Sequence, residues 1–195
     1  AGHTLTRVDL GGGLGIPYQS GDAPASPAEY AKMIASVTDG LDLDVILEPG
    51  RVIAGNAGIM ITTALYHKPA PDREFLIVDA GMNDLMRPAL YQAHHDIIPL
   101  EEPSEGTPLI RYDIVGPICE STDKFAAQRQ MPEIEADARI AFMSSGAYGA
   151  VLSSQYNVRP LVAEVLVDGD TFAVVRKRPS FEDMMALEQI PDWLS

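Results

Sequence analysis

Asp9-Leu10-Gly11-Gly12-Gly13-Leu14-Gly15 closes an apolar run, residues 5–10, with glycines where a buried strand would end. Further along, Val45-Ile46-Leu47-Glu48-Pro49-Gly50-Arg51 ends a second such run, residues 43–48, with a carboxylate, a forced turn and a guanidinium. Between them Ser26-Pro27-Ala28-Glu29 is a helix start, with serine at the cap, proline at the first position and glutamate in the first turn, and it predicts a helix over 27–39. A short helix follows from about residue 52. Strand then helix, twice, with short turns is the signature of a parallel sheet or barrel, in which functional groups gather at the carboxyl ends of the strands. Two such units cannot close a barrel, which takes eight strands and about 250 residues. If the segment belongs to a barrel rather than an open parallel sheet, the beginning of that barrel has to precede this sequence, and the chain is expected to be a fragment.

After Ile59 the pattern turns β-rich, with strands expected over 60–67, 73–79, 96–100, 109–115, 138–143, 161–167 and 171–177. Asp168-Gly169-Asp170 between valine-rich runs is a hairpin signal, and 181–187 reads as a terminal helix capped by Ser180. Residues 60–195 are expected to form a mainly antiparallel β domain with short helices, making the fold class α/β plus β.

Composition narrows the function. With 46% hydrophobic and 22% charged residues the chain reads as globular, and its net charge of −14 argues against nucleic acid, whose phosphates need clustered cations. The one dense basic run, Arg176-Lys177-Arg178, reads as a solvated strand end. No apolar stretch approaches the roughly 18 residues of a membrane span. The single cysteine, Cys119, has no internal disulfide partner, and no apolar signal region opens the chain, so a cytoplasmic setting is expected.

Glycine lets backbone N–H groups approach an anion with no side chain in the way, so the turn at residues 11–15 reads either as a phosphate cradle or only as a tight turn. Its spacing does not fit the dinucleotide fingerprint G-x-G-x-x-G. Glu48 and Arg51 are either functional groups at a strand end or an ion pair bracing the turn. Taken together and in this order, the GGG and EPGR motifs resemble those of the barrel-type pyridoxal-phosphate decarboxylases of basic amino acids. The resemblance implies that residues 1–59 are the last two βα units of a parallel (β/α)8 barrel, and that Gly12, Gly13 and the turn Glu48-Pro49-Gly50-Arg51 hold pyridoxal 5'-phosphate. In that setting Glu48 keeps the ring nitrogen protonated, which makes the ring a better electron sink.

The block Asp79-Ala80-Gly81-Met82-Asn83-Asp84-Leu85-Met86-Arg87-Pro88-Ala89-Leu90-Tyr91 is similar to the branch of that family acting on diaminopimelate. There the matching Arg51, Arg87 and Tyr91 contact the substrate, and a guanidinium suits its second carboxylate, which ornithine lacks. From the residues alone, Arg87 could equally be a surface group and Tyr91 a packed aromatic. In Gly116-Pro117-Ile118-Cys119-Glu120-Ser121-Thr122-Asp123 the lone thiol sits beside a carboxylate, and a lone cysteine is more often an inert buried residue. The resemblance implies instead that Cys119 is the catalytic acid returning a proton to the carbon that CO2 leaves. It further implies that Glu120 reads the substrate's remote amine, and that both reach a partner's active site in a homodimer. Tyr148, among the small residues of Ser144-Ser145-Gly146-Ala147-Tyr148-Gly149, is implied to contact cofactor phosphate and substrate.

No metal is expected: His94 and His95, adjacent on a strand, would point to opposite faces, and the four histidines offer no Ser-His-Asp arrangement. The lysines are Lys32, Lys68, Lys124 and Lys177, and none falls on an early barrel strand where the family carries the one that binds its cofactor. Three readings follow: part of a longer decarboxylase of roughly 400 residues, acting on diaminopimelate or another basic amino acid; a non-catalytic binding module derived from one; or, on the glycines alone, a nucleotide-binding half-barrel.

Overall fold

The computed structural model describes residues 2–194. The amino-terminal segment is a parallel strand pair, β1 (Arg7–Asp9) and β2 (Asp44–Ile46), joined through helix α1 (Pro27–Thr38). Helix α1 starts where a capping box forces it to: Ser26 Oγ accepts from the Glu29 amide, while Glu29 accepts from the Ser26 amide at 2.8 Å. The strand ladder runs on past both strands, Leu10 N donating to Ile46 O at 3.0 Å and Glu48 N to Gly11 O at 2.8 Å. That extension brings the glycine turn and the Glu48–Arg51 turn side by side. A one-turn helix, α2 (Arg51–Ala54), follows.

The rest is built on β3 (Met60–Ala70), β4 (Arg73–Val78), helix α3 (Arg87–Tyr91), β5 (Ile97–Pro99), β6 (Leu109–Val115), β7 (Lys124–Pro132) and β8 (Arg139–Phe142). These six strands form one sheet in the order β5-β8-β3-β4-β6-β7, antiparallel at every ladder except the parallel β4–β6 pair. The sheet is mixed and curls until its two edges approach, Arg129 of β7 donating to His95 O just ahead of β5 at 3.0 Å. Inside the curl lie Leu76, Val78, Leu85, Tyr112, Ile114, Phe125, Met131, Ile140 and Phe142, with the Phe125 and Phe142 rings 4.6 Å apart. Burial of this apolar face drives the closure.

Strand β7 falls where the sequence predicts none, between the expected strands at 109–115 and 138–143. Its period-2 signal is erased by a bulge. Tyr112 and Ile114 pair with Arg129 and Ala126, so β7 carries one extra residue, and Gln128 takes φ 49°. The bulge is held by the buried Asp113 carboxylate, which accepts from the Gln128 amide at 2.8 Å and faces Arg73 at 3.6 Å. Helix α3 is likewise unforeseen by the sequence reading.

The carboxyl-terminal hairpin β9 (Glu164–Asp168) and β10 (Thr171–Arg176) turns at Asp168–Thr171, as its Asp-Gly-Asp signal predicts. Helix α4 (Phe181–Met185) begins at a second capping box, from Ser180 and Asp183. Helix α1 and both hairpin strands bury no residue fully. No helix among the described residues is long and apolar enough to cross a membrane.

Candidate active site

Where the extended ladder of β1 and β2 ends, Gly12 lies so close to the next turn that a Cβ there would stand 2.5 Å from Glu48 O, so only glycine fits. The third wall comes from the sheet. The loop after β8 is tied to α2 and the residues following it by Gly146 N to Gly55 O, 3.0 Å, and Ser145 N to Gly58 O, 2.7 Å. A Cβ on Gly58 would reach the Gly146 backbone at 2.7 Å, so small residues set how near the loop comes. The three segments line an open cavity of about 510 Å³, bounded by Gly12, Gly13, Gly15, Glu48, Gly50, Arg51 and Tyr148. Tyr148 is held at φ 60°, a left-handed conformation that strains a bulky residue by roughly 1 kcal/mol. That backbone places its ring 5.4 Å from the Arg51 guanidinium.

Arg51 leads away from the cavity into a chain of polar contacts. It donates to Tyr18 Oη at 3.2 Å, and the Tyr18 ring carries the Arg87 guanidinium at 4.7 Å. Arg87 is only 6% exposed, and its remaining partner is His95 Nε2 at 2.7 Å. His95, 2% exposed, also contacts Met143 O through Nδ1 at 2.8 Å. A carbonyl only accepts and a guanidinium only donates, so Nδ1 carries the hydrogen, Nε2 is bare and the imidazole is neutral. Burial, with Arg87 adding to it, pushes the His95 pKa below the ordinary imidazole value, in the direction the hydrogen bonds require. Among the described residues Arg87 therefore has no carboxylate partner, although it is buried.

The structure brings Gly12, Gly13, Glu48, Gly50, Arg51 and Tyr148 of the predicted set together in one cavity, and Pro49 shapes the turn between two of them. Arg87 reaches the group through Tyr18, while Tyr91, at the end of α3, is 63% exposed. Cys119 and Glu120 are exposed and do not line the cavity. Their loop is nonetheless fixed, because the buried Asp123 carboxylate accepts from the amides of Ile118 at 2.6 Å and Met82 at 2.7 Å. Burial raises the Asp123 pKa against the pull of those two amides. His94 and His95 diverge, His94 turning to Asp96 at 2.9 Å while His95 is buried. Lys32, Lys68, Lys124 and Lys177 are all exposed, and none lines the cavity.

Tyr18, His95 and Asp123 went unread in the sequence as site residues. Tyr18 sits in a proline- and aspartate-rich loop with no periodicity to mark it; the one available signal is an aromatic beside Pro17, just downstream of the glycine turn. For His95 the sequence raises only a metal ligand or a Ser-His-Asp member, and neither points to a partner for Arg87.

The match to known proteins follows this geometry. The family model described as pyridoxal-dependent decarboxylase, C-terminal sheet domain, matches residues 18–146. The chain belongs to this family. As a pyridoxal-dependent decarboxylase sheet domain it has near relatives: it is 47% identical, over its whole length, to 46% of a diaminopimelate decarboxylase of Zymomonas mobilis. A crystal structure of AQ1208 from Aquifex aeolicus superposes with a TM-score of 0.90 at 42% identity, covering 95% of this chain and 46% of that one. The diaminopimelate decarboxylase of Helicobacter pylori, solved with L-lysine, gives 0.85 at 43% identity, over 94% of this chain and 44% of that one. The chain thus spans a little under half the length of these relatives. The residues at the cavity fit the pyridoxal cofactor that the family name specifies: a glycine turn whose close approach to the Glu48 carbonyl leaves no room for a Cβ at Gly12, a guanidinium, a phenol and a carboxylate.

Proposed function

We propose that this chain supplies the carboxyl-terminal half of a diaminopimelate decarboxylase, releasing CO2 from meso-2,6-diaminopimelate to give L-lysine. The observation that carries this reading is the pairing of an anion-cradling cavity with Arg87, a buried guanidinium that has no carboxylate of its own among the described residues. Residues 1–59 are assigned to the last two units of a pyridoxal-phosphate-binding barrel, and 60–195 to the sheet domain.

In this scheme the glycine turn, Arg51 and the Tyr148 hydroxyl, which line the cavity, would hold the cofactor phosphate, and Glu48 would keep the ring nitrogen protonated. The bound cofactor supplies an electron sink for the pair left when CO2 departs. Arg51 and Arg87 take the substrate's remaining carboxylate, Tyr91 contacts the substrate, and Tyr148 orients it. Cys119 returns a proton from Sγ to the carbon that lost CO2, and Glu120 binds the remote amine. Since both are exposed on a braced loop outside their own cavity, they are assigned to the cavity of a second subunit in a cytoplasmic homodimer. The lysine that anchors the cofactor belongs to residues outside this sequence.

The full-length polypeptide supplied with pyridoxal phosphate should release CO2 and form L-lysine from meso-diaminopimelate. Turnover of ornithine but not diaminopimelate would overturn the substrate. The exposed lysines favour one further reading, a non-catalytic module. Borohydride reduction of this chain with pyridoxal phosphate is expected to leave no single modified lysine; a specific adduct would show that this chain carries its own anchor.

A further inference from the structure

Buried guanidinium groups are ordinarily matched by carboxylates, because an uncompensated buried charge is costly. Arg87 departs from this. It sits against the face of Tyr18 and the bare nitrogen of His95, both uncharged, while Tyr18 also accepts a hydrogen bond from Arg51. His95 is itself clamped: its Nδ1 hydrogen is committed to Met143 O, and its ring meets that of Tyr18 edge-on at 5.5 Å. The arrangement fixes two guanidiniums on one phenol without neutralising either.

We infer that Tyr18 and His95 are positioning residues: they hold the guanidiniums of Arg51 and Arg87 together without a counter-charge, so that losing either contact weakens the grip of that pair on a ligand's remote carboxylate. The inference rests on the diaminopimelate reading. Tyr18 supplies a surface that binds both cations yet gives no counter-charge. His95 supplies an acceptor that does the same, and only in its neutral tautomer. A carboxylate in either place would satisfy Arg87 internally and remove its claim on a ligand.

The test measures, in full-length holoenzyme, the affinity for L-lysine and for 1,5-diaminopentane, which is L-lysine without its carboxylate, by calorimetric titration. Wild-type protein should prefer L-lysine. His95→Asn keeps a donor to Met143 O but removes the acceptor of Arg87; it should lower the preference by about tenfold or more, and raise KM for diaminopimelate more than it lowers kcat. His95→Gln restores an acceptor near the Nε2 position and should keep the preference within about threefold of wild type. Tyr18→Phe retains the ring but not the Arg51 hydrogen bond and should fall between them, and it decides the matter if the asparagine variant does not fold. Preference unchanged in His95→Asn and Tyr18→Phe would overturn the inference, as would equal loss in the two His95 variants. If wild-type protein itself shows no preference for L-lysine, the diaminopimelate reading fails and takes this inference with it.

Discussion

Arg51 and Tyr148 meet at the wall of an open cavity, whereas Cys119 and Glu120 stand in solvent on a loop that lines no part of it. The two regions are equally well built. The first is held by the β1–β2 ladder and by glycine contacts between α2 and the 144–149 loop; the second is held by Asp123 and its two short amide bonds. A loose loop would need no explanation for its exposure. A braced loop presenting a thiol and a carboxylate outward points to a task beyond its own cavity. In the proposed scheme binding and proton return are separated within one chain, and each can be broken without the other.

The largest effect is expected in the first region. Arg51→Ala removes the cation at the anion cradle and its bond to Tyr18, and should weaken cofactor retention by about a hundredfold, read by fluorescence titration of the full-length protein. Cys119→Ala should leave that titration unchanged while lowering CO2 release by about a hundredfold or more. Next comes Gly12→Ala. Its Cβ meets Glu48 O at 2.5 Å, so the two turns must separate, and about 1–3 kcal/mol of stability should be lost in denaturant unfolding. Cofactor affinity should fall with it.

The smallest effect is one of pH. His95 is kept neutral in the fold, surrounded by Arg87, Arg129, His94 and the Tyr18 ring, and its pKa lies below the ordinary value near 6.5. As pH falls below about 6.5 the unfolded chain takes up a proton that the folded chain refuses, so stability falls by up to about 1 kcal/mol per unit. Above that pH the contribution is fully present. His95→Gln should flatten this part of the stability profile, measured by thermal unfolding across pH 5 to 8.

How much of this was legible in the sequence varied with how local the cause was. The capping boxes at Ser26 and Ser180 and the hairpin at Asp168–Thr171 follow from side chains three residues apart or fewer, and they stand where expected. The glycine and EPGR turns could be read because their backbone chemistry is written in the residues themselves. Strand β7 was hidden because its bulge breaks the alternation, and what stabilises that bulge is Asp113, on a different strand. Tyr18 and His95 were hidden for a related reason. Each acts through Arg51 and Arg87, residues distant in sequence, and no local pattern marks such a contact.

The separation of cavity and thiol can be tested by mixing two impaired proteins. Full-length Arg51→Ala and Cys119→Ala subunits, each expected to turn over diaminopimelate only weakly alone, are co-expressed so that mixed dimers form. One site of each mixed dimer then combines an intact cavity with an intact thiol from the other subunit, and CO2 release should return to about a quarter of the wild-type level. Mixed dimers that form but release no CO2 would contradict the assignment of Cys119 to the partner's cavity.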